Sequence, residues 1–128
     1  MKVLLDTVAV YRAATHPEAL PEAARALLED ASHSVFVSLV SAWELTLKSS
    51  LGKLALPAPI EEFFPQVARD LLAQQLNLEL KAIAKLAALP SHHADPFDRL
   101  IIAQALVDEC AVITSDARFE VYGVRVVW

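Results

Sequence analysis

The sequence predicts an α/β fold, a three-layer α/β/α sandwich built around a central, mainly parallel sheet. Short apolar, β-branched runs alternate along the chain with segments rich in Ala, Leu and Glu. Strands that alternate with helices pair in parallel, and their crossovers are right-handed. Only two glycines are present and no Gly/Ser linker interrupts the pattern, which indicates one domain over residues 1–128.

Five segments have the residue types of strands, because they are apolar, β-branched or alternating and are bounded by turn residues. They are residues 2–5, Ser34–Leu39, Leu76–Leu80, Ala111–Ser115 and Val124–Trp128. The first run is apolar throughout, which is typical of a strand that is buried on both faces.

Five further segments are predicted to be helical. They are Pro17–Asp30, Ala42 to about Gly52, Ile60–Gln75 with an interruption or kink near Pro65, Lys81–Leu89, and Pro96 to about Glu109. Ser41, followed three residues later by Glu44, has the spacing of a capping box. Gly52 is the expected C′ residue of the same helix. Asp95 followed by Pro96 is typical of a helix N-terminus.

Composition limits the class of protein. The chain has 128 residues, is 55% apolar and has a mean hydropathy of +0.41. Its apolar runs are far shorter than the ~18 residues of a membrane span, and Asp6 follows Met1 too closely for a signal peptide, so a cytoplasmic protein is expected. The net charge of −5 has the wrong sign for bulk attraction to nucleic acid. A nucleic-acid enzyme of this charge needs a local basic patch or a metal ion.

The single cysteine, Cys110, excludes an internal disulfide, and no Cys-His pattern indicates zinc. Since an apolar strand-like run follows it, we expect a buried, unreactive thiol.

Two predicted strands end in an acid. Asp6 follows the first strand and Asp116 follows Ala111–Ser115. The carboxyl ends of parallel strands share one edge of a sheet, where ligands of such folds bind. Either residue taken alone is equally well explained as an ordinary loop or cap acid. Glu44, at the start of the helix after the second strand, faces the same edge. Lys48 lies four residues further on and either pairs with Glu44 or contacts a phosphate.

The densest polar cluster precedes and begins the last predicted helix. Asp98 takes the third helical position, where the helix dipole stabilises an anion. Asp95 lies three residues earlier, and its leading role is the helix cap. Arg99 has a planar fork that suits phosphate or carboxylate. His92 and His93 are interpreted as exposed loop side chains, because an adjacent pair is poor metal-ligand spacing.

Four acids at one sheet edge repel each other unless a cation neutralises them. Oxygen ligands favour a hard cation such as Mg²⁺ or Mn²⁺. Such an ion can polarise a phosphodiester, generate a hydroxide and stabilise the leaving oxygen, so phosphodiester hydrolysis suits these residues. An Asp-nucleophile phosphatase or dehalogenase needs a second Asp two residues after the first, where Val8 stands. A phospho-receiver needs a Lys at the end of a late strand, where Ser115 and Asp116 stand.

Beyond these spacings, the sequence resembles a PIN domain of the VapC type, the toxin of bacterial toxin–antitoxin pairs. Four stretches carry the resemblance: Leu4–Thr7; Ser41–Leu45 through Lys48 to Leu51–Leu54; Leu89–Pro90 through His92–Ala105; and Thr114–Asp116. The chain departs from the family after Thr7, where Val8-Ala9-Val10-Tyr11 replaces a common His and Leu-Leu-Trp run. That departure leaves the acids untouched and falls on the first helix and its partner surface.

The resemblance implies a Mg²⁺- or Mn²⁺-dependent endoribonuclease with a cognate antitoxin that occludes or distorts the site, and a homodimer. It implies catalytic roles for Asp6, Glu44, Asp98 and Asp116, with Asp6, Asp98 and Asp116 as metal ligands. Asp98 is favoured over Asp95 because Ile follows it three residues later. Six further residues are expected to orient ligands or contact substrate: Thr7, Ser41, Lys48, Asp95, Arg99 and Ser115. The remaining alternative is a catalytically weak PIN-like domain that mainly binds protein or RNA, and the presence of all four acids argues against it.

Overall fold

A parallel sheet forms the centre of the computed structural model, which describes residues 1–128. Its five strands lie in the order β3-β2-β1-β4-β5, and each is parallel to its neighbours. The strands are β1 Lys2–Leu5, β2 Ser34–Ser38, β3 Gln74–Leu76, β4 Ala111–Ile113 and β5 Val126–Val127. The predicted α/β fold class is therefore confirmed.

Helices connect the strands. They are α1 Thr7–Thr15, α2 Glu22–Glu29, α3 Leu39–Ser50, α4 Ile60–Asp70, α5 Leu80–Ala88 and α6 Pro96–Asp108, with 3₁₀ turns at Pro17–Ala19 and Ala117–Tyr122. The sequence pattern had not delimited α1. None of the helices combines the length and the hydropathy that crossing a membrane requires.

Two hydrophobic cores lie on opposite faces of the sheet. Val3 and Leu5 of β1 pack with Phe63 and Phe64 of α4 on one face. Leu4 lies in the other core, together with residues of α6 and the last 3₁₀ turn. The three apolar side chains of β1 are fully buried, which explains the unbroken apolar run of that strand. Cys110 is buried in the second core, as predicted, and burial raises the pKa of its thiol to about 11.

The predicted start of α3 is wrong. Ser38, the last residue of β2, caps the helix, and its hydroxyl accepts a hydrogen bond from the Val40 N–H at 3.0 Å. The helix therefore begins three residues early, and Ser41 and Glu44 form no capping box. Ser41 is instead buried, and its hydroxyl accepts a hydrogen bond from the Thr7 hydroxyl at 3.1 Å.

Other element ends differ for backbone reasons. The predicted helix Pro17–Asp30 divides at Pro21, because the residue before a proline disfavours the helical conformation. The α4 helix contains Pro65 but ends at Asp70, since Leu72 adopts the left-handed region with φ of 52°. Chain reversal there moves β3 to earlier residues than predicted. Gly52 follows α3 with φ of 72°, as expected of a C′ residue.

Candidate metal centre

The carboxyl edge of the sheet collects the candidate acids. Asp6 directly follows β1, and Asp116 lies in the loop after the neighbouring β4. Leu5 is in register with Ile113, so the residues that follow each strand lie side by side. Asp98 projects from the first turn of α6, and Glu44 from the second turn of α3 rather than from its first.

Asp6 is buried and doubly hydrogen-bonded. One carboxylate oxygen accepts the Ala9 N–H at 2.8 Å and so caps α1, and the other accepts the Thr114 hydroxyl at 2.6 Å. Burial raises the pKa of Asp6, although both hydrogen bonds act in the opposite direction. The charges of Glu44 and Asp116 raise it further. Asp6 therefore shares an electrostatic environment with both acids.

Asp98 has the most unfavourable position for a charge. Desolvation by burial, followed by the charges of Asp95 and Glu44, raises the pKa of its carboxyl to about 7. The neighbouring His93 acts against this increase, and the charge of Asp6 adds to it. Without a cation, Asp98 therefore keeps its proton to a much higher pH than an ordinary aspartate does.

Asp116 is perturbed in the opposite direction. The guanidinium of Arg118 forms a fork on its carboxylate, with Nε at 3.0 Å and Nη2 at 2.9 Å from its two oxygens. Chiefly because of this contact, the pKa of Asp116 falls to about 2. The Asp116 N–H also donates to the Thr114 hydroxyl at 3.0 Å, so Thr114 links Asp116 to Asp6.

His93 joins two of the acids, and the interpretation of it as an exposed loop residue is wrong. Its buried ring places Nε2 at 3.1 Å from Asp98 Oδ2 and at 3.0 Å from Asp116 Oδ2. Ligand atoms of these three residues all lie within 4.8 Å of one another. His93 Nδ1 accepts the Asp95 N–H at 3.0 Å, so the ring proton is on Nε2. His93 is therefore a hydrogen-bond donor between two carboxylates and not a metal ligand in this arrangement. His92 is exposed, as predicted.

Glu44 is the most deeply buried of the four acids, with its side chain 3% exposed. Lys48 Nζ lies 2.5 Å from its Oε2, so the predicted pairing is confirmed. This hydrogen bond raises the pKa of Lys48, and the charges of Asp95 and Asp98 add to the effect. The second oxygen, Glu44 Oε1, is buried and has no hydrogen-bond partner. A buried carboxylate oxygen without a partner indicates a place for a cation or a bound water.

The surrounding polar residues have varied positions. Asp95 caps α6 by accepting the N–H groups of Phe97 and Asp98, as predicted. Arg99 donates through Nη2 to the Leu89 carbonyl at 3.1 Å, so part of its fork holds the loop before α6. Ser115 is exposed.

Sequence analysis did not assign three residues of this site: His93, Thr114 and Arg118. The only indication in the sequence for Thr114 and Arg118 was that each lies two residues from Asp116. Over this spacing a side chain can form a hydrogen bond with the backbone or the carboxylate of its neighbour. His93 has the same spacing from Asp95.

The donor set fits a hard divalent cation. Carboxylates of four residues surround one edge, Glu44 Oε1 lacks a partner, and neither thiol nor free imidazole nitrogen is offered. Mg²⁺ and Mn²⁺ prefer such oxygen ligands. The clustering also explains why desolvation and like charge raise the pKa values of Asp6 and Asp98 together.

Known proteins are similar to this chain in sequence and in fold. The chain is 31% identical over 117 residues to ribonuclease VapC22 of Mycobacterium tuberculosis, covering 91% of this chain and 88% of the relative. Among solved structures, VapBC2 of Rickettsia felis bound to a promoter DNA fragment superimposes with a TM-score of 0.70 at 14% identity, covering 99% of this chain and 98% of the other. FitAcB of Neisseria gonorrhoeae superimposes with a TM-score of 0.61 at 22% identity, covering 98% and 96%. The family model of the PIN domain matches residues 3–124. With nearly its whole length matched, this chain belongs to the PIN-domain family.

Proposed function

We propose that this chain is a divalent-metal-dependent endoribonuclease, of the VapC type, that acts as the toxin of a toxin–antitoxin pair in the cytoplasm. The related M. tuberculosis protein is named a ribonuclease, and the similar solved structures are VapBC and Fit complexes. The observation that carries the proposal is the group of buried and half-buried acids at the carboxyl edge, with Glu44 Oε1 left without a partner.

Asp6, Asp98 and Asp116 are the proposed metal ligands, and Mg²⁺ or Mn²⁺ is the proposed cofactor. When bound, such a cation polarises the scissile phosphodiester and lowers the pKa of an attacking water. A bound cation would favour the carboxylate form of Asp98, because a nearby positive charge stabilises the anion. His93 orients Asp98 and Asp116 through its single Nε2–H.

Glu44 is proposed to orient the attacking water. Its free oxygen, Oε1, can accept a hydrogen bond from that water, while Lys48 holds the other oxygen. Thr114 and the Ala9 N–H hold the Asp6 carboxylate in one orientation. Thr7 and Ser41, which bond to each other, brace α1 against α3 beneath the acids. Ser115 and Arg99 are proposed to contact substrate, although Arg99 also supports the Leu89 carbonyl.

An antitoxin is the proposed protein partner, as in the VapBC complexes that share this fold. We also propose a homodimer, because α3 and its C-cap residue expose an apolar stripe at four-residue intervals. Trp43 is 56% exposed and Leu51 60%, and Leu39 and Leu47 complete the stripe. In a twofold dimer the same patch of each subunit meets its copy, and a stripe along one helix can pack in this way. Light scattering should give about 28 kDa, twice the 14.0 kDa of one chain, and Trp43→Glu should give a monomer. A monomeric wild-type protein would instead assign the stripe to the antitoxin.

Cleavage of a labelled RNA tests the enzymatic proposal. Mg²⁺ or Mn²⁺ should support cleavage, EDTA should stop it, and restored cation should restore it. Asp116→Asn should lower the rate at least 100-fold, since it removes a charge that the cation requires. Asp108→Asn is the matched control, because Asp108 ends α6 at the opposite edge of the sheet. Equal activity of both variants, or activity with Zn²⁺ alone, would contradict the proposed site. RNA or antitoxin binding without any cleavage would favour the alternative, a binding module.

A further inference from the structure

A cleft beside the acids has the opposite charge character from the rest of the protein. It encloses about 550 Å³ and is lined by Ser91, His92, His93, Ala94, Arg99 and Arg118. None of these residues is acidic, although the whole chain carries a net charge of −5. Two arginines thus place positive charge next to the catalytic edge.

Arg118 lies between the cleft and the acids. Its side chain is 62% exposed, and its fork contacts both oxygens of Asp116. Because the guanidinium is open to solvent, it can turn to another anion once a competing cation takes the Asp116 carboxylate. A divalent cation that binds Asp116 competes for the same oxygens and leaves the Arg118 fork available for another anion.

Arg99 supplies a second guanidinium to the wall of the cleft. Its Nη2 donates to the Leu89 carbonyl, but its Nε is buried and has no acceptor. A buried donor without an acceptor is unfavourable and rare in proteins, which indicates a missing partner. His92, on the rim, packs edge-on against Tyr122 with ring centroids 5.2 Å apart, which holds its ring beside the cleft.

We propose that this cleft binds a backbone phosphate of the RNA strand, next to the phosphodiester that is cleaved at the acids. Planar guanidinium forks match phosphate oxygens in a bidentate manner, and Arg is the usual residue for such recognition. The cleft supplies the local basic patch that an acidic protein needs in order to hold RNA. The proposal rests on the nuclease function and adds the position of the substrate strand.

Binding of a fluorescein-labelled single-stranded RNA, followed by anisotropy, tests the cleft. All proteins carry Asp116→Asn and are measured in EDTA, so that residue 116 has no charge to hold the Arg118 fork and cleavage cannot interfere. In this background Arg118→Gln should weaken RNA binding about 5- to 20-fold. It should also reduce the slope of log K against log salt by about 0.7, the change expected for one lost phosphate contact with a single strand.

Arg125→Gln is the matched control, because Arg125 is exposed and precedes β5 at the opposite edge of the sheet. It should leave affinity and slope unchanged within twofold. Equal effects of the two variants, or no effect of Arg118→Gln, would overturn the cleft assignment. Binding of inorganic phosphate that is lost in Arg118→Gln, while the RNA affinity of that variant is unchanged, would overturn it too. The site would then bind a free anion and not the RNA backbone.

The outcomes also separate this inference from the nuclease proposal. Active wild-type enzyme with no effect of Arg118→Gln on RNA binding rejects the cleft alone. A wild-type protein that binds RNA through Arg118 but never cleaves it supports the cleft and rejects the nuclease. Thermal unfolding of each variant, followed by circular dichroism, shows that binding is compared between folded proteins.

Discussion

Replacing Asp98 by Asn should abolish cleavage and at the same time stabilise the cation-free protein. Asp98 carries the highest carboxyl pKa of the site, about 7 against an ordinary 3.8, chiefly because of burial and the charges of Asp95 and Glu44. One pKa unit corresponds to about 1.4 kcal/mol, so ionising this group in the folded state costs up to about 4 kcal/mol. Partial solvent access and the lost interaction with the helix dipole reduce the expected gain to roughly 1–3 kcal/mol.

The pH dependence of this gain has a definite sign. A carboxyl whose pKa is raised on folding stabilises the folded protein at low pH, and that contribution is lost as pH rises from about 4 to about 7. Asn does not titrate. The difference in free energy of unfolding between Asp98→Asn and the wild type should therefore be small near pH 4 and reach its full value above pH 7.

Urea unfolding in EDTA, followed by circular dichroism at pH 5 and pH 8, measures this difference. Glu62→Gln is the matched control, since Glu62 also occupies the third position of its helix but is exposed and lies away from the acids. It should be neutral or destabilising by roughly 0.3–1 kcal/mol at both pH values. An Asp98→Asn protein that is no more stable at pH 8 than at pH 5, relative to wild type, would refute the reasoning about burial. A folded variant with undiminished cleavage would reject the catalytic assignment.

Two further predictions concern stability. Lys48→Met leaves the buried Glu44 without its only partner, so it should destabilise the cation-free protein by roughly 1–3 kcal/mol. Mg²⁺ should recover part of this loss. Equal losses of stability with and without the cation, measured by urea unfolding, would contradict the proximity of Glu44 to the cation. Leu72→Gly should raise the free energy of unfolding by roughly 0.5–1 kcal/mol, because Leu72 is 89% exposed and has φ of 52°, whereas Leu72→Ala, which keeps the Cβ, should give no such gain.

The acids that directly follow a clear strand or helix signal were predictable from the sequence. Asp6 and Asp116 follow strands whose apolar pattern is clear, and a parallel sheet brings the ends of neighbouring strands together. Asp98 follows a strong helix start at Asp95 and Pro96, which the structure confirms. These positions need only local periodicity and one topological rule.

The contacts between loops and the true start of α3 were not predictable in the same way. Ser38 and Ser41 are both good caps by residue type, and the choice depends on where β2 stops pairing with β1 and β3. His93 belongs to a loop that is shaped by its bond to Asp95 and by the position of Asp116, 23 residues away. Tertiary contacts of this length leave no periodic signal in the sequence.

The distribution of internal donors explains how such an acidic site folds before a cation binds. Asp6 has two hydrogen bonds, Glu44 has Lys48, and Asp116 has Arg118. Asp98 shares one His93 N–H with Asp116 and receives no cationic partner, which is why its pKa is the one that rises to about 7. The affinity for a cation depends on the difference in free energy between the cation-bound and the cation-free protein. A cation would therefore relieve the most repulsion at Asp98 and displace the strongest existing contact at Asp116. Cation affinity should therefore fall through Asp98 as pH falls from 8 to 6, because protons compete there, whereas competition by the guanidinium of Arg118 at Asp116 should stay constant, because that pair does not titrate in this range.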